Sequence, residues 1–334
     1  MRSSLAHLLA ERRVLLADGA TGTNYFAAGL EAGEPPEFWN FDQPDRVKAL
    51  HQSFVDAGAD IILTNSFGCN QQRLKLHKAQ DRVYEIAKRA AELARAVADA
   101  VDWPVVVAGA VGPTGELFEP MGALNEAAAV ASFAVQIAGL KAGGADVAWI
   151  ETMSSPEEVR AASKAAIAIG MPYVVTCSFD TAGRTMMGLM PGDMKAVFAG
   201  LEPAPIAMGA NCGVGASDIL VSLLEMTEYD RTTAFVSKGN CGVPFFQGTE
   251  VVYTGTPELM ASYVDLAVHA GARIIGGCCG TTPEHLQAMR VAVDRRSAEG
   301  RPNIDTIIER IGPLANSAPT LNAPTRERRR GPKK

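Results

Sequence analysis

Short runs of β-branched and small apolar residues recur along the sequence, and a helix-like segment follows each run. Near-continuous apolar strands that alternate with helices are typical of a parallel sheet covered on both faces. Eight such units favour a closed (β/α)8 barrel, or TIM barrel, over an open doubly wound sheet, and 334 residues suit one such domain. The predicted strands are residues 14–17, 61–64, 105–109, 147–151, 173–177, 207–211, 234–238 and 273–276.

The predicted helices have alanine-rich faces, and several begin with proline or a capping residue, as helix N-termini commonly do. An Ala-Gly-Ala or Gly-Gly-Ala sequence precedes three of the strands, at 57–59, 143–145 and 270–272. Glycine there supplies the positive φ that ends a helix. Residues 18–23, after the first strand, lack the GxGxxG pattern of a dinucleotide-binding domain. The predicted helices are residues 44–57, 80–100, 125–142, 155–169, 191–201, 216–226, 257–269 and 283–293.

Charge is divided unevenly between the body of the chain and its C-terminus. The last nine residues carry a net charge of +5, which leaves −11 on the rest of the chain. We expect one barrel domain over 1–300 and a C-terminal extension over 301–334 whose basic end is a disordered, solvated tail. The alternative role of that tail is a docking handle for an acidic partner. The acidic body argues against nucleic-acid binding.

Nothing in the sequence predicts a membrane partner or export. No apolar run reaches the roughly 18 to 20 residues of a membrane span. The first residues are too few and too charged for a secretory signal. We therefore expect a cytoplasmic protein, in which six cysteines are poorly explained as a disulfide framework.

Polar residues follow the predicted strands at the points where the strands end. In a (β/α)8 barrel these carboxyl ends meet at one rim, which carries the active site. The residues expected to bind substrate at this rim are Asp18, Gly19, Ala20, Glu151, Ser178, Asn211 and Asn240.

The most specific motif is Cys278-Cys279 between glycines, paired with Cys212 after another strand. Adjacent cysteines on a regular strand point to opposite faces, but the flanking glycines allow a turn in which both sulfurs converge. Three thiolates with one open position suit a catalytic zinc better than a structural one. The alternatives are a buried or oxidation-prone cysteine pair and a non-catalytic zinc-binding protein. The remaining cysteines are expected to pack in the core: Cys69, Cys177 and Cys241.

Thiolate-rich ligation indicates alkyl transfer to sulfur, because it makes zinc a mild Lewis acid that keeps a bound substrate thiol deprotonated. No histidine falls at a predicted strand end, which disfavours a zinc hydrolase. The carboxylates of Asp18 and Glu151 could hold an ammonium group, and the N–H groups of Gly19 and Ala20 could hold a carboxylate. Asp18 could instead only form a turn before Gly19. Glu151 and the three cysteines are the expected catalytic groups.

Four segments together resemble the homocysteine S-methyltransferase family: residues 18–23, 58–68, 211–213 and 276–285. The resemblance runs from about residue 15 to about residue 293. It implies a (β/α)8 barrel with zinc held by Cys212, Cys278 and Cys279 and the homocysteine sulfur as fourth ligand. It also implies that Asp18 and Glu151 lie near the amino and carboxylate groups of homocysteine. The implied reaction is in-line attack of the zinc-bound thiolate on a methyl group, which gives methionine.

The family includes enzymes with different methyl donors. Betaine enzymes that resemble the mammalian type carry tyrosine where this chain has Gly68 and Thr152, and residues 18–23 and 64–68 look more like the module of cobalamin-dependent methionine synthase. We therefore expect methyl transfer from a methylcorrinoid such as methylcobalamin. No Asp-x-His-x-x-Gly motif for a corrinoid occurs here, so a separate corrinoid-binding protein would have to present it.

Aromatic residues keep a second class of donor open. Phe38, Trp39 and Phe41 cluster in the first loop, and Phe67 follows the second predicted strand. Cation–π contacts hold quaternary ammonium groups. Phe38, Trp39 and Phe67 are therefore candidate contacts for betaine, S-methylmethionine or dimethylsulfoniopropionate. The alternative is that the loop aromatics pack as a local core.

Overall fold

The computed structural model describes residues 2–228, 230–242, 244–247, 250–295 and 299–315. Eight parallel strands form one sheet with helices around it, which confirms the predicted barrel. The barrel strands are β1 (Leu15–Leu16), β2 (Ile61–Leu63), β3 (Val106–Val111), β4 (Val147–Met153), β5 (Tyr173–Cys177), β6 (Ala207–Cys212), β7 (Phe235–Gly239) and, after a hairpin, β10 (Ala272–Gly277). The predicted disordered basic tail, residues 326–334, lies outside the described residues.

The sheet closes between its first two strands. The strands lie side by side in the order β1-β10-β7-β6-β5-β4-β3-β2. Ala17 then forms a parallel bridge with Ile61, and the N–H of Asp18 donates to the Ile61 carbonyl at 2.9 Å. The carboxyl ends of all eight strands therefore surround one opening.

The helices begin where the sequence predicts in most of the repeated units. Several start with proline, and side chains of Asn125, Ser155 and Thr256 cap three of them. The α-helices of the described residues are α1 (Leu5–Glu11), α2 (Gly22–Ala27), α3 (Trp39–Asp42), α4 (Pro44–Asp56), α5 (Gln71–Lys75), α6 (Val83–Asp99), α7 (Glu126–Ala142), α8 (Pro156–Ile169), α9 (Ala216–Thr227), α10 (Pro257–Ala270), α11 (Pro283–Arg295) and α12 (Ile304–Ile311).

Alternate strand residues build two separate cores. Side chains that point into the barrel, such as Leu15, Ile61 and Trp149, pack with Leu5 and Leu8 of α1, which closes the N-terminal end of the barrel. Their neighbours along the strands point outward and pack under the surrounding helices, in a core that includes Leu16, Ile62 and Ile150. The open end of the barrel is therefore the one formed by the carboxyl ends of the strands.

The repeated loops before β2, β4 and β10 have the predicted backbone. Their glycines have positive φ: 96° at Gly58, 96° at Gly144 and 109° at Gly271. Two of these loops lead into an aspartate that ties neighbouring strands together. Asp60 accepts from the N–H of Leu16 at 2.8 Å, and Asp146 accepts from the N–H of Val107 at 2.9 Å.

Two elements differ from the prediction. An antiparallel hairpin, β8 (Pro244–Gln247) and β9 (Glu250–Tyr253), follows β7 and was not predicted, because its strands lie outside the eight buried runs. The segment predicted as a helix over 191–201 forms a 3-10 helix over Pro191–Phe198, since Gly192 weakens its first turn and the chain turns at Gly200, where φ is 76°.

The C-terminal extension includes α12, which packs against α9 and α10 with Ile307 fully buried. In the part of the chain that the structure describes, no helix combines the length and the apolar character that crossing a bilayer requires.

Candidate metal centre and substrate cavity

A cavity of about 560 Å³ opens at the carboxyl ends of the barrel strands. Its inner wall carries the residues from the strand ends, and its outer wall carries residues of the loops after β1 and β2. The inner wall includes Glu151, Thr152, Cys212, Lys238, Cys278 and Cys279, and the outer wall includes Phe26, Glu37, Phe67, Arg73, Leu76 and His77.

Three cysteines converge at the inner wall. Cys212 ends β6, and Cys278 and Cys279 follow β10. Their sulfur atoms all lie within 4.8 Å of one another, and no other such group of three ligating side chains occurs within the described residues. Zinc–sulfur bonds of about 2.3 Å in a tetrahedron separate sulfurs by about 3.8 Å, so this donor set fits zinc. All three cysteines line the cavity, so a ligand in the cavity would have access to a metal held there.

The three thiols interact strongly even without a cation. Donating hydrogen bonds to the other two sulfurs raises the pKa of Cys212, and accepting hydrogen bonds, first from Cys212, holds the pKa of Cys279 far below its usual range. The hydrogen bonds among the three sulfurs therefore favour the thiolate form at Cys279, which is the form that binds a cation.

Strained backbone holds the cysteines in place. Cys212 has φ of 63°, a left-handed conformation that is uncommon for a residue with a side chain. Asn240 fastens this turn to the other cysteines, because its Nδ2 donates to the Gly213 carbonyl at 2.9 Å and its Oδ1 accepts from the N–H of Cys279 at 3.0 Å. The N–H of Cys278 donates to the Gly239 carbonyl at 2.7 Å.

Asn211 fixes a second strained residue beside the first. Thr152, directly after Glu151, has φ of 61°. The Asn211 Oδ1 atom accepts from the N–H of Thr152 at 2.8 Å, and its Nδ2 donates to the Thr152 hydroxyl at 2.7 Å. Asn211 therefore sets the backbone that presents Glu151 to the cavity.

Ser178, Asn211 and Asn240 were expected to bind substrate, but none of them lines the cavity. Ser178 accepts from the N–H of Gly213 at 3.2 Å and donates to Asp180 at 3.1 Å. These three residues lie behind the cysteine turn because their polar atoms are occupied in holding it. The structure thus places them as supports of the site.

Asp18 is paired with a lysine that no sequence motif indicated. Lys238, near the end of β7, donates to the Asp18 Oδ1 atom at 2.7 Å, and the N–H of Leu63 donates to Oδ2 at 2.7 Å. The Lys238 ammonium also lies 5.8 Å from the centre of the Trp149 ring. Both members of this ion pair are almost completely buried.

Burial and charge act against each other in this group. Burial raises the pKa of Asp18 and raises that of Glu151 to about 8, although Lys238 opposes both shifts. Burial alone lowers the pKa of Lys238, but the nearby carboxylates, Asp18 first, outweigh it and the pKa is raised. The single Lys238 ammonium thus offsets the negative charge of two carboxyl groups. Glu151 is stabilised less than Asp18, because it does not hydrogen-bond to the lysine.

The expectation for the backbone after Asp18 needs correction at one residue. Gly19 and Ala20 both line the cavity. However, the N–H of Ala20 donates to the Thr281 carbonyl at 3.1 Å, so it is not free to hold a carboxylate. Thr281 reaches it because the segment after Cys279 turns back across the first loop.

The aromatic residues divide between the cavity and a local core. Phe67 lines the cavity, as does Phe26, which was not predicted. Trp39 is buried with its ring 5.2 Å from that of Tyr25, and Phe38 packs edge-on to His77 at 6.1 Å. The candidate donor contacts Phe38 and Trp39 are therefore outside the cavity wall, because the first loop uses them for packing.

Glu37 takes a place in the cavity that no sequence feature indicated. Its carboxylate is buried and accepts from the N–H of Gly68 at 2.5 Å. A Cβ atom at Gly68 would lie 2.9 Å from the Glu37 Oε1 atom. Glu37 thus fills the space that a side chain at position 68 would need. Its buried position in the loop gave no periodic signal, whereas Lys238 was visible as a charge within an apolar strand.

A family model described as homocysteine S-methyltransferase matches residues 15–293. The methionine synthase of Mycobacterium tuberculosis (strain ATCC 25618 / H37Rv) is 28% identical over 331 residues, which cover 93% of this chain and 27% of that protein. The methionine synthase of Mycobacterium leprae (strain TN) is 29% identical over 303 residues, which cover 85% of this chain and 24% of that protein. The chain thus spans about a quarter of the length of these relatives.

Solved structures share the fold. The metallated form of the homocysteine methyltransferase MmuM from Escherichia coli has a TM-score of 0.72 and 24% identity, with 85% of this chain and 98% of that chain covered. Its oxidized form has a TM-score of 0.71 at 24% identity, with 87% and 99% covered. Since the family model spans the barrel from β1 into α11, the chain belongs to the homocysteine S-methyltransferase family.

Proposed function

We propose that this chain is a zinc-dependent methyltransferase that forms methionine from homocysteine, with a methylcorrinoid on a separate protein as the methyl donor. The observation that carries the proposal is the group of three cysteine sulfurs within 4.8 Å on the inner wall of the cavity. Zinc held by Cys212, Cys278 and Cys279 would keep a bound substrate thiol deprotonated and nucleophilic at neutral pH.

The residues around the cysteines supply binding and orientation. Glu151 and Lys238 offer opposite charges on the cavity wall beside the cysteines, which suits a zwitterionic amino acid. The substrate sulfur attacks the methyl carbon in line, a new sulfur–carbon bond forms, and the bond to the donor breaks with its electron pair left on the donor. Fixed charges on the wall hold the sulfur on the line of attack, which is how a binding site lowers the barrier of a two-substrate reaction.

Three observations favour the corrinoid as donor. Curated relatives of this chain are methionine synthases. Two phenylalanines, Phe26 and Phe67, line the cavity, and Tyr253 lies beside the cysteines with its hydroxyl hydrogen-bonded to Cys279, so a cage for a quaternary ammonium is poorly formed. Phe26 and Leu76 are also well exposed at the cavity mouth, where they offer apolar contact to a large donor.

An onium donor such as betaine, S-methylmethionine or dimethylsulfoniopropionate is the second candidate. The observation that favours it is the buried carboxyl group of Glu37, which lines the outer cavity with Phe67. A carboxylate beside an aromatic face attracts a cation. A non-catalytic zinc site is less well supported, because a structural zinc commonly has four protein ligands and three are grouped here in the described part of the chain.

The test is methionine formation by the zinc-loaded protein from homocysteine, with each donor supplied separately. The donors are betaine, dimethylsulfoniopropionate, S-methylmethionine and methylcobalamin, the last both free and bound to a corrinoid carrier protein. We expect methionine with methylcobalamin, most rapidly on the carrier, and none with the onium compounds. Turnover with an onium compound alone would overturn the corrinoid assignment and leave methyl transfer to homocysteine standing.

A further inference from the structure

The charged groups next to the cysteines differ in their access to the cavity. Lys238 and Glu151 line it, whereas Asp18 does not. Asp18 lies behind Lys238, where both of its carboxylate oxygens accept hydrogen bonds, from Lys238 at 2.7 Å and from the N–H of Leu63 at 2.7 Å. A ligand in the cavity therefore meets a lysine ammonium where the sequence predicted an aspartate.

Lys238 and Glu151 have hydrogen-bonding capacity left over. The lysine ammonium has three N–H donors, and Asp18 is its one hydrogen-bond acceptor within the described residues. The Glu151 side chain is largely buried at the cavity wall, and its carboxyl group makes no hydrogen bond with any described residue. Buried charged groups are costly unless they are paired, so spare donors and acceptors on a cavity wall indicate groups that a ligand satisfies.

We infer that Lys238 binds the α-carboxylate of homocysteine, with Asp18 as the positioning residue that holds Lys238. The α-ammonium group then lies at Glu151, in the part of the site where the family resemblance already places that residue. This inference rests on homocysteine being the substrate, as proposed above. With all three side chains ionised the group carries one net negative charge. A zwitterion leaves that total unchanged and gives Lys238 and Glu151 each an oppositely charged partner.

The arrangement also assigns a task to the buried ion pair. Asp18 and Lys238 bridge β1 and β7, on opposite sides of β10 in the barrel. The bond to Asp18 fixes the end of a side chain with four rotatable bonds before substrate arrives. Less conformational entropy is then lost when the carboxylate binds.

The experiment measures ligand binding to the zinc-loaded protein by isothermal titration calorimetry, without any methyl donor. The ligands are homocysteine, 3-aminopropane-1-thiol, which lacks the carboxylate, and 4-sulfanylbutanoate, which lacks the ammonium group. We expect Lys238→Met to weaken homocysteine binding about 10- to 100-fold, as for the loss of a charged hydrogen bond, and to leave 3-aminopropane-1-thiol unchanged. Glu151→Gln should show the converse pattern, with 4-sulfanylbutanoate unchanged.

A control separates loss of the binding group from damage to the site. Lys238→Met leaves Asp18 buried without its cation, so the double variant Asp18→Asn, Lys238→Met is measured as well and should show the same ligand pattern. Lys195→Met is the matched control, because Lys195 pairs with Asp230 at 2.6 Å on the surface, with 65% of its side chain exposed. Its binding constants should equal those of the wild type.

Two results would overturn the inference. One is an equal loss of affinity for homocysteine and for 3-aminopropane-1-thiol in both Lys238 variants, which is the pattern of a purely structural lysine. The other is a wild-type protein that binds the two ligands equally well. Neither result depends on methyl transfer, so the failure of every donor, with this ligand pattern intact, would count against the proposed reaction alone.

Discussion

The two ends of the barrel differ in the partners that balance the negative charge of their buried carboxylates. At the N-terminal end each of two carboxylates has two arginine partners and a backbone N–H donor, whereas at the C-terminal end two carboxyl groups share one lysine. The partners at the N-terminal end are Arg12 and Arg290 for Asp60, and Arg2 and Arg95 for Asp146.

The buried carboxylates at the N-terminal end of the barrel stabilise the fold, whereas those at the C-terminal end are available for function. Asp60 and Asp146 hold neighbouring strands in register. Their carboxylates are already occupied by hydrogen bonds and ion pairs within the protein, so they are not available to a ligand. The carboxyl group of Glu151 has no hydrogen-bond partner among the described residues, and it lies on the cavity wall together with the three cysteines. A carboxyl group that lacks protein partners at the C-terminal end of a barrel is expected where a substrate supplies the missing partner.

The largest predicted effect is on activity and comes from the cysteines at the C-terminal end of the barrel. Cys278→Ala should abolish zinc retention and lower methyl transfer by at least about three orders of magnitude, because a thiolate ligand is lost. Far-ultraviolet circular dichroism should remain that of the folded barrel. Cys177→Ala, at a buried cysteine outside the metal centre, is the matched control and should keep its zinc. A Cys278→Ala protein that is active without metal contradicts the ligand assignment.

The next largest predicted effect is on stability and concerns a buried carboxylate at the N-terminal end of the barrel. Asp146→Ala should lower the free energy of unfolding by about 3 kcal/mol, since Arg95 loses its buried carboxylate partner and keeps only the exposed Asp99. Urea unfolding measures this, and kcat of the folded fraction should not change. Glu85→Gln, in the exposed pair with Arg82, should cost under about 0.5 kcal/mol. Equal costs at the two positions would show that the inner pair is no more important than a surface one.

A smaller effect is expected for Glu151→Gln. It should raise the KM for homocysteine about 10- to 100-fold through loss of a charged hydrogen bond, with zinc content unchanged. Stability should not fall, because the wild-type carboxyl group makes no hydrogen bond with the described residues and its pKa is raised by burial. Steady-state kinetics and metal analysis test this, and unchanged kinetics would remove Glu151 from the site.

The last prediction concerns the dependence of stability on pH. The pKa of Glu151 is about 8 in the folded protein against 4.5 as its ordinary value, so between these values the folded state binds more protons than the unfolded state. Wild-type stability should therefore fall, relative to Glu151→Gln, as pH rises from about 4.5 to about 8, with an upper limit of about 5 kcal/mol set by the two pKa values. Unfolding of both proteins at several pH values measures it. Parallel pH profiles would mean that Glu151 ionises normally.

The fold could be predicted because its signal repeats. Eight buried strands and the glycines at 58, 144 and 271 carry it in sequence alone, since apolar runs and positive φ leave direct marks on residue choice. The hairpin of β8 and β9 could not be found in this way, because it lies outside that repeat.

The site could be predicted in part. The three cysteines are marked by their motif, and the structure brings them together. Whether a polar side chain at a strand end faces the cavity or supports it depends on hydrogen bonds across the barrel, as with Asn211 and Asn240. The partner of Asp18 lies 220 residues away in sequence, so only the closed barrel reveals it.

The contact between Glu37 and Gly68 links two positions on the outer wall of the cavity. A Cβ atom at position 68 would lie 2.9 Å from the Glu37 Oε1 atom, so the end of the Glu37 side chain would have to move aside. A tyrosine there, as the betaine enzymes of the mammalian type carry, would therefore also change where the Glu37 carboxyl group lies. An engineered exchange of donor by a substitution at position 68 should then depend on which residue stands at position 37.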